Sequence, residues 1–400
     1  MGSRHNYAVP AMLERYRLLE RFYTEICGNV GIGRGVSYLA KFPYLSPKAA
    51  RLANRIVPAP VRRKTVCFWA PVMKHALRTI GSRIDLDEQY RESLRFAEEL
   101  GAAMIRAGYG RATHVYSMLG EGGPFLVEAR RRGIQVICEV YIALSADRIV
   151  AEESRQYPDF CQILPDYEAI RQELANRTSL VDLADWLVCP SETVKNDLTT
   201  RWGVHPARTA VVPYGVDPKW FDLEPKPVPK RVLFVGTANL RKGIHYLAMA
   251  ANELAQRRKV YEFHIVGDVS DEVRCHRLCE RLTILGRLPH NRIEREFQKA
   301  DVFVLPSLAE GSAQTTYEAL AASIPVITTP AAGSVVRDGE EGLIVSERNT
   351  SALSEAIERI VEDRRLRNEM SARARRRAAD YTWSHFGARL FGAITRFGHS

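Results

Sequence analysis

One stretch, residues 301–333, narrows the choice of fold more than any other. Val302–Leu305 is an unbroken apolar run of the length and character of a buried strand. Pro306, Ser307 and Gly311 punctuate the loop that follows. Residues 314–322 are rich in helix formers, and Ile324-Pro325 stops the helix. Val326–Thr328 reads as a second, mostly β-branched strand. Strand, loop, helix and strand form the repeat of an open α/β sheet. Such sheets bind ligands at the carboxyl ends of their strands, where helix N-termini offer N–H groups to anions.

Two carboxylates fall at that place, Glu310 in the loop and Glu318 in the helix. Eight residues of helix would rise about 12 Å, so one atom cannot receive both. They could grip two ends of one long ligand, with the backbone of Gly311, Ser312 and Ala313 facing a charge between them. A nucleotide-sugar has that shape. The plainer alternative is two solvated glutamates.

At 400 residues the chain exceeds one typical core, and two domains are expected. Before the opening stretch, strands are expected near 113–117, 135–140, 186–189 and 209–212, with helices between them. Ser191 is placed to cap a helix over 192–201. Residues 213–230 then carry Pro213, Pro218, Pro225, Pro227 and Pro229, a stiff extended linker. A second α/β series begins at 231. The expected layout is a Rossmann-like domain over 1–212, the linker over 213–230 and a second Rossmann-like domain over 231–380. Residues 381–400 are expected to return as a helix onto the first domain. Near the start, a helix over 9–20 and a strand over 21–26 are expected, with Arg4 and His5 in a loop ahead of them.

The net charge of +10 points to an anionic partner: phosphate groups, a membrane surface or nucleic acid. No nucleic-acid motif accompanies it. Lys48, Arg51, Arg55, Arg62, Arg63 and Lys64 lie among Leu52, Ile56, Val57 and Val61, which suits either an anionic membrane surface or a solvated helix packed on the first domain. No apolar run reaches membrane-spanning length and no signal region opens the chain, so a cytoplasmic location is expected, with peripheral contact to the inner face of the membrane as the further option. Seven scattered cysteines fit reduced thiols better than a disulfide frame. Cys275 and Cys279 lack a second ligand pair, and Asp85-Leu86-Asp87 stands where acids favour a helix N-terminus. No metal and no cofactor are expected.

Gly236-Thr237-Ala238-Asn239-Leu240-Arg241-Lys242-Gly243 lies between an expected strand and an expected helix. Two adjacent cations at a helix N-terminus can neutralise a diphosphate. With Leu183–Ser191, residues 212–217, this loop, Glu310 with Glu318, and residues 333–345, the chain resembles the retaining glycosyltransferases of family four, which have the two-Rossmann GT-B fold. The Glu310-to-Glu318 spacing matches that family's Glu-x7-Glu motif. The likeness is specific over 180–385 and thin before 110.

The resemblance implies residue roles. Glu310 would contact donor-sugar hydroxyls, Glu318 the ribose, and Lys242 with Arg241 the diphosphate. Gly311, Ser312 and Ala313 would offer N–H groups to sugar or phosphate, Gly236 and Thr237 would lie at the phosphates, and Gly286, Arg287 and Leu288 near the base. The implied reaction moves a sugar, with retention and without a metal, from a nucleotide-sugar to a saccharide or lipid-linked acceptor in polysaccharide or glycoconjugate synthesis. Three positions depart from the family pattern. Thr237 replaces an arginine, Glu139-Val140-Tyr141 stands where a histidine is usual, and the glycine-rich acceptor loop is replaced, at most, by Arg4 and His5 with their neighbours. Glu139 and Tyr141 are therefore acceptor-side candidates. A non-catalytic nucleotide-sugar-binding protein of the same fold is the alternative.

Overall fold

The computed structural model describes residues 7–35, 55–79, 85–120, 123–161, 167 and 180–397. Its contacts divide into two compact units. The first holds residues 1–139, 165–188 and 390–400; the second holds 140–164 and 189–389. The proline-rich stretch 213–230 and residues 189–212 thus group with the second unit, as does the excursion 140–164.

The first unit contains β1 (Phe22–Thr24) parallel to β2 (Thr65–Cys67). It also contains β3 (His114–Met118), β4 (Gln135–Glu139) and most of β5 (Trp186–Cys189), parallel and in that order. Helix Leu86–Ala107 packs on helix Gly123–Arg131. Asp85 caps the longer helix by accepting from the Glu88 N–H, so the Asp-Leu-Asp acids serve a helix start. The opening helix is shorter than expected, Ala8–Arg15, because Arg17 turns into the left-handed region at φ 58°. Val57 and Val61 are fully buried with Tyr7, Leu19 and Phe22. Lys64 is held by Glu14 and the Leu19 carbonyl. In the described part of the basic segment, Val57 and Val61 are therefore core, while Ile56 is 51% exposed. The remainder of that segment, with Lys48 and Arg51, and the candidates Arg4 and His5, lie outside the described residues.

The second unit follows β6 (Thr209–Val211) with six parallel strands: β7 (Arg231–Val235), β8 (Glu262–Val266), β9 (Leu282–Gly286), β10 (Val302–Leu305), β11 (Val326–Thr328) and β12 (Gly342–Ile344). Their order is β12-β11-β10-β7-β8-β9. All four residues of β10 are buried, the expected pattern for a parallel strand covered on both faces. Helices Ile244–Gln256 and Thr350–Glu362 pack together, as do Gln314–Ala321 and Arg364–Ala379. Buried Asp301 ties the last of these to the sheet through Arg364 at 2.5 Å and Arg367 at 3.1 Å. Residues 271–281 form a short helix, Asp271–Cys275, and a 3-10 turn, Arg277–Arg281, with His276 extended between them. Ser191 caps helix Glu192–Arg201 as expected.

Candidate functional site

The strand order reverses between β7 and β10. Chains leaving these two neighbours turn to opposite faces of the sheet, which opens a crevice at their carboxyl ends. The loop after β7 carries Arg241 and Lys242; the loop after β10 carries Glu310. Their side chains converge there. Arg241 and Lys242 each place a nitrogen 2.7 Å from Glu310 Oε1. All three are largely buried, with Lys242 and Glu310 side chains about a tenth exposed. Arg241 also donates to the Ala309 carbonyl at 3.1 Å, which binds the two loops together.

Local geometry explains why this turn forms. Asn239 accepts from the Lys242 N–H and closes a 3-10 turn over Leu240–Lys242. Gly243 follows at φ 70°, where an added Cβ would lie 2.0 Å from the Pro306 carbonyl. The Lys242 chain crosses Gly236, its Cε 3.3 Å from where a Cβ would be. Thr237 is exposed beside it.

On the β10 side, Glu310 N–H donates to Ala331 and Ala313 N–H to Ala332. The Ala313 N–H expected to meet a ligand is therefore already used. Gly311 and Ser312 N–H groups have no such acceptor among the described residues. Gly311 itself is pinned: Ser191 Oγ donates to its carbonyl at 2.5 Å, and an added Cβ would sit 1.7 Å from the Tyr141 carbonyl. The helix begins only at Gln314, so the step from Glu310 to Glu318 is not a helical rise.

Glu318 differs from Glu310 in having no partner for its carboxylate among the described residues. Burial pushes it up to about 8, against the pull of Lys219, with Asp217 adding to the rise. Asp217 ends the segment 212–217, which carried the resemblance but no assigned role, and Lys219 follows it. The signal that could have found them was the Asp217-Pro218 helix start, where Asp217 caps the Lys219 N–H.

Gly286 ends β9, and its carbonyl accepts from Gly267 N–H after β8. Two strand spacings, about 10 Å, separate β9 from β7. Arg287 is spent on Asp268 at 2.6 Å, and both are exposed. Leu288 follows, half-buried. Tyr141 belongs to this unit. Glu139 belongs to the first, where its buried carboxylate accepts from Tyr116 OH at 2.7 Å. Cys275 and Cys279 do not share a helix face, and among the described residues no three metal-binding side chains converge. Beside Glu310 lies a cavity of about 510 Å³, lined among others by Arg148, Asn196, Arg201, Glu347 and Arg348.

Known proteins match this arrangement. The model of glycosyl transferases group 1 matches residues 218–377, and that of glycosyltransferase family 4 matches residues 162–220. Glycogen synthase of Mycobacterium tuberculosis is 26% identical over 225 residues, covering 53% of this chain and 54% of the relative. The chain thus spans about half the length of the curated relatives it matches. Sucrose-phosphate synthase from Thermosynechococcus elongatus aligns with a TM-score of 0.62 at 22% identity, covering 86% of each chain. Anabaena HepE, solved in complex with UDP-glucose, aligns with a TM-score of 0.55 at 16% identity, covering 74% of this chain and 82% of the other. At these identities the structures show the fold, which is GT-B with two Rossmann-like sheets. Over residues 162–377, across the β7/β10 crevice, the chain is similar to glycosyltransferases of group 1 and of family 4.

Proposed function

We propose that this protein is a retaining glycosyltransferase that moves a sugar from a nucleotide-sugar to a saccharide or lipid-linked acceptor. One observation carries the reading: two cations and Glu310 meet at the switch point between β7 and β10. Glu310 pairs with both cations. An arriving diphosphate, with more charge, displaces it, and the freed carboxylate turns to the sugar hydroxyls. The C1–oxygen bond to the diphosphate breaks, the acceptor oxygen bonds to C1, and the acceptor proton leaves with the nucleoside diphosphate. Fixed cations aimed at a leaving oxyanion stabilise the transition state without reorganising. Glu318, with no carboxylate partner among the described residues, suits the ribose hydroxyls, and Gly286 to Leu288 lie at the distance of a base. UDP complexes of fold neighbours such as HepE support a uridine donor as the first probe.

The test is nucleoside diphosphate release from a panel of nucleotide-sugars, with and without acceptor. Lys242→Ala and Glu310→Ala should each lower kcat by roughly 10²–10³. Release unchanged in both variants would move the site elsewhere, and saturable binding without release would favour a non-catalytic binding protein. Association with an anionic membrane at the cytoplasmic face rests on net charge, and sedimentation with anionic vesicles at low salt tests it. Among the described residues no helix is long and apolar enough to cross a membrane.

A further inference from the structure

Residues 140–164 follow β4 in sequence, yet they pack as part of the second unit. Two anchors hold them there. At one end the Tyr141 carbonyl occupies the space that Gly311 leaves by lacking a side chain. At the other, helix Ala146–Gln156 packs on the Leu240–Lys242 turn and buries Glu153, which is 1% exposed.

The Glu153 carboxylate is fully engaged. Its Oε1 accepts from His245 Nε2 at 2.9 Å and from Tyr246 OH at 2.6 Å; its Oε2 accepts from Arg348 Nε at 2.7 Å. His245 and Tyr246 are the second and third residues of helix Ile244–Gln256, directly after Arg241-Lys242-Gly243. Arg348 sits at φ 60°, a backbone conformation that costs a non-glycine residue free energy and that surrounding structure must enforce. Arg348 also lines the cavity beside Glu310.

A buried ion pair is a poor source of stability, because well-packed apolar residues often do as well or better. What this one supplies is direction. Three donors from two separate segments are aimed at one carboxylate, and the segment nearest the reaction is the first turn after the two cations. We propose that Glu153 is a positioning residue for the diphosphate-binding turn, holding Arg241 and Lys242 against the Glu310 loop through His245, Tyr246 and Arg348. This rests on the reading of Arg241 and Lys242 as diphosphate ligands. Displacing such cations by about 1 Å is enough to cost on the order of 10² in rate.

The experiment measures calorimetric affinity for UDP, GDP and ADP, using whichever wild type binds, together with melting temperature and donor kcat and KM. Tyr246→Phe removes one bond of three and keeps the ring. It should melt within about 4 °C of wild type and bind the diphosphate roughly threefold to tenfold more weakly, with donor KM raised in step. Glu153→Gln should weaken binding further, by about 10- to 100-fold. A drop in melting temperature with unchanged affinity and KM in Tyr246→Phe would overturn the proposal, since a merely structural pair behaves that way. Should Glu153→Gln fail to fold, Tyr246→Phe decides alone. Lys242→Ala serves as the control: if it too binds like wild type, or if wild type binds none of the three, the diphosphate site itself is misplaced. If only Lys242→Ala loses affinity, the site stands and the positioning role falls.

Discussion

The two units of this chain are built by similar rules and differ in how they hold chemistry. In the second unit the central strands β7, β10 and β11 are buried along almost all their length, and the reactive side chains hang on loops at one edge of the sheet. Backbone carbonyls fix those loops through glycines that have no room for a side chain. In the first unit, β1 and β2 are three residues each, β3 is partly exposed, and the buried carboxylate Glu139 is spent on Tyr116. Charge meeting charge at a strand end needs a few residues at fixed spacing. A surface that fits an acceptor can be assembled from residues scattered along the chain, with no such spacing.

Glycine substitutions should expose the contrast most strongly. At Gly311 a Cβ would lie 1.7 Å from Tyr141 O, and both neighbours are backbone. Gly311→Val should destabilise the fold by about 1–3 kcal/mol and, by shifting Glu310, lower turnover by about 10² or more. At Gly101 of the first unit, the nearest atom is the Pro124 ring Cδ at 2.8 Å, on the first turn of helix Gly123–Arg131, whose end can shift by the few tenths of an ångström required. Alanine also gains roughly 1 kcal/mol of helix propensity there. Gly101→Ala should leave melting and turnover close to wild type. Equal losses at both positions would end the distinction between a backbone-locked edge and an adaptable one.

The carboxylates offer a finer comparison. Burial holds Glu318 up near 8, above its unfolded value of about 4.3. Between those values the native state binds more protons than the unfolded state, so Glu318 favours the fold at low pH and this contribution is lost as pH rises from about 4 to about 8. Glu153 has the opposite sign. Burial would raise it, but His245, Tyr246 and Arg348 hold it at about 2. Its contribution is present above about 4.3 and is lost as pH falls toward 2. Melting curves from pH 5 to 8.5 should therefore show a decline in wild type that is flattened in Glu318→Gln. An equally steep decline in that variant would assign it to another group.

The sequence was most readable where local chemistry decided the structure. Val302–Leu305, the Ser191 cap and the Arg241-Lys242-Gly243 turn all lie where the pattern put them, because each depends on neighbours within a few residues. The meeting of Glu310 with two cations is a long-range contact and follows only once the strand order is known. Glu153 was invisible for the same reason. Its partners lie 92, 93 and 195 residues away, and nothing in its helix marks it as buried. The N–H of Ala313 was misread because its acceptor, Ala332, lies beyond the next strand. Grouping residues 140–164 with the second unit likewise depends on packing that periodicity does not record.

Metal removal should have the smallest effect and bears on what replaces a metal. A diphosphate leaving group needs positive charge near its bridging oxygen, from a divalent cation or from side chains. Arg241 and Lys242 stand ready at the crevice, 2.7 Å from a carboxylate that a diphosphate can displace. Neither cation has to be recruited from solvent, and Arg241 is further oriented by the Ala309 carbonyl. Treatment with EDTA should thus leave the initial rate within about twofold of the untreated enzyme, while Lys242→Ala loses roughly 10²–10³ under the same conditions. A large loss on chelation, restored by Mg²⁺ or Mn²⁺, would transfer the charge-neutralising role to a metal. It would also leave the two cations the lesser task of holding the Glu310 loop, making the second unit's edge a scaffold like the first's.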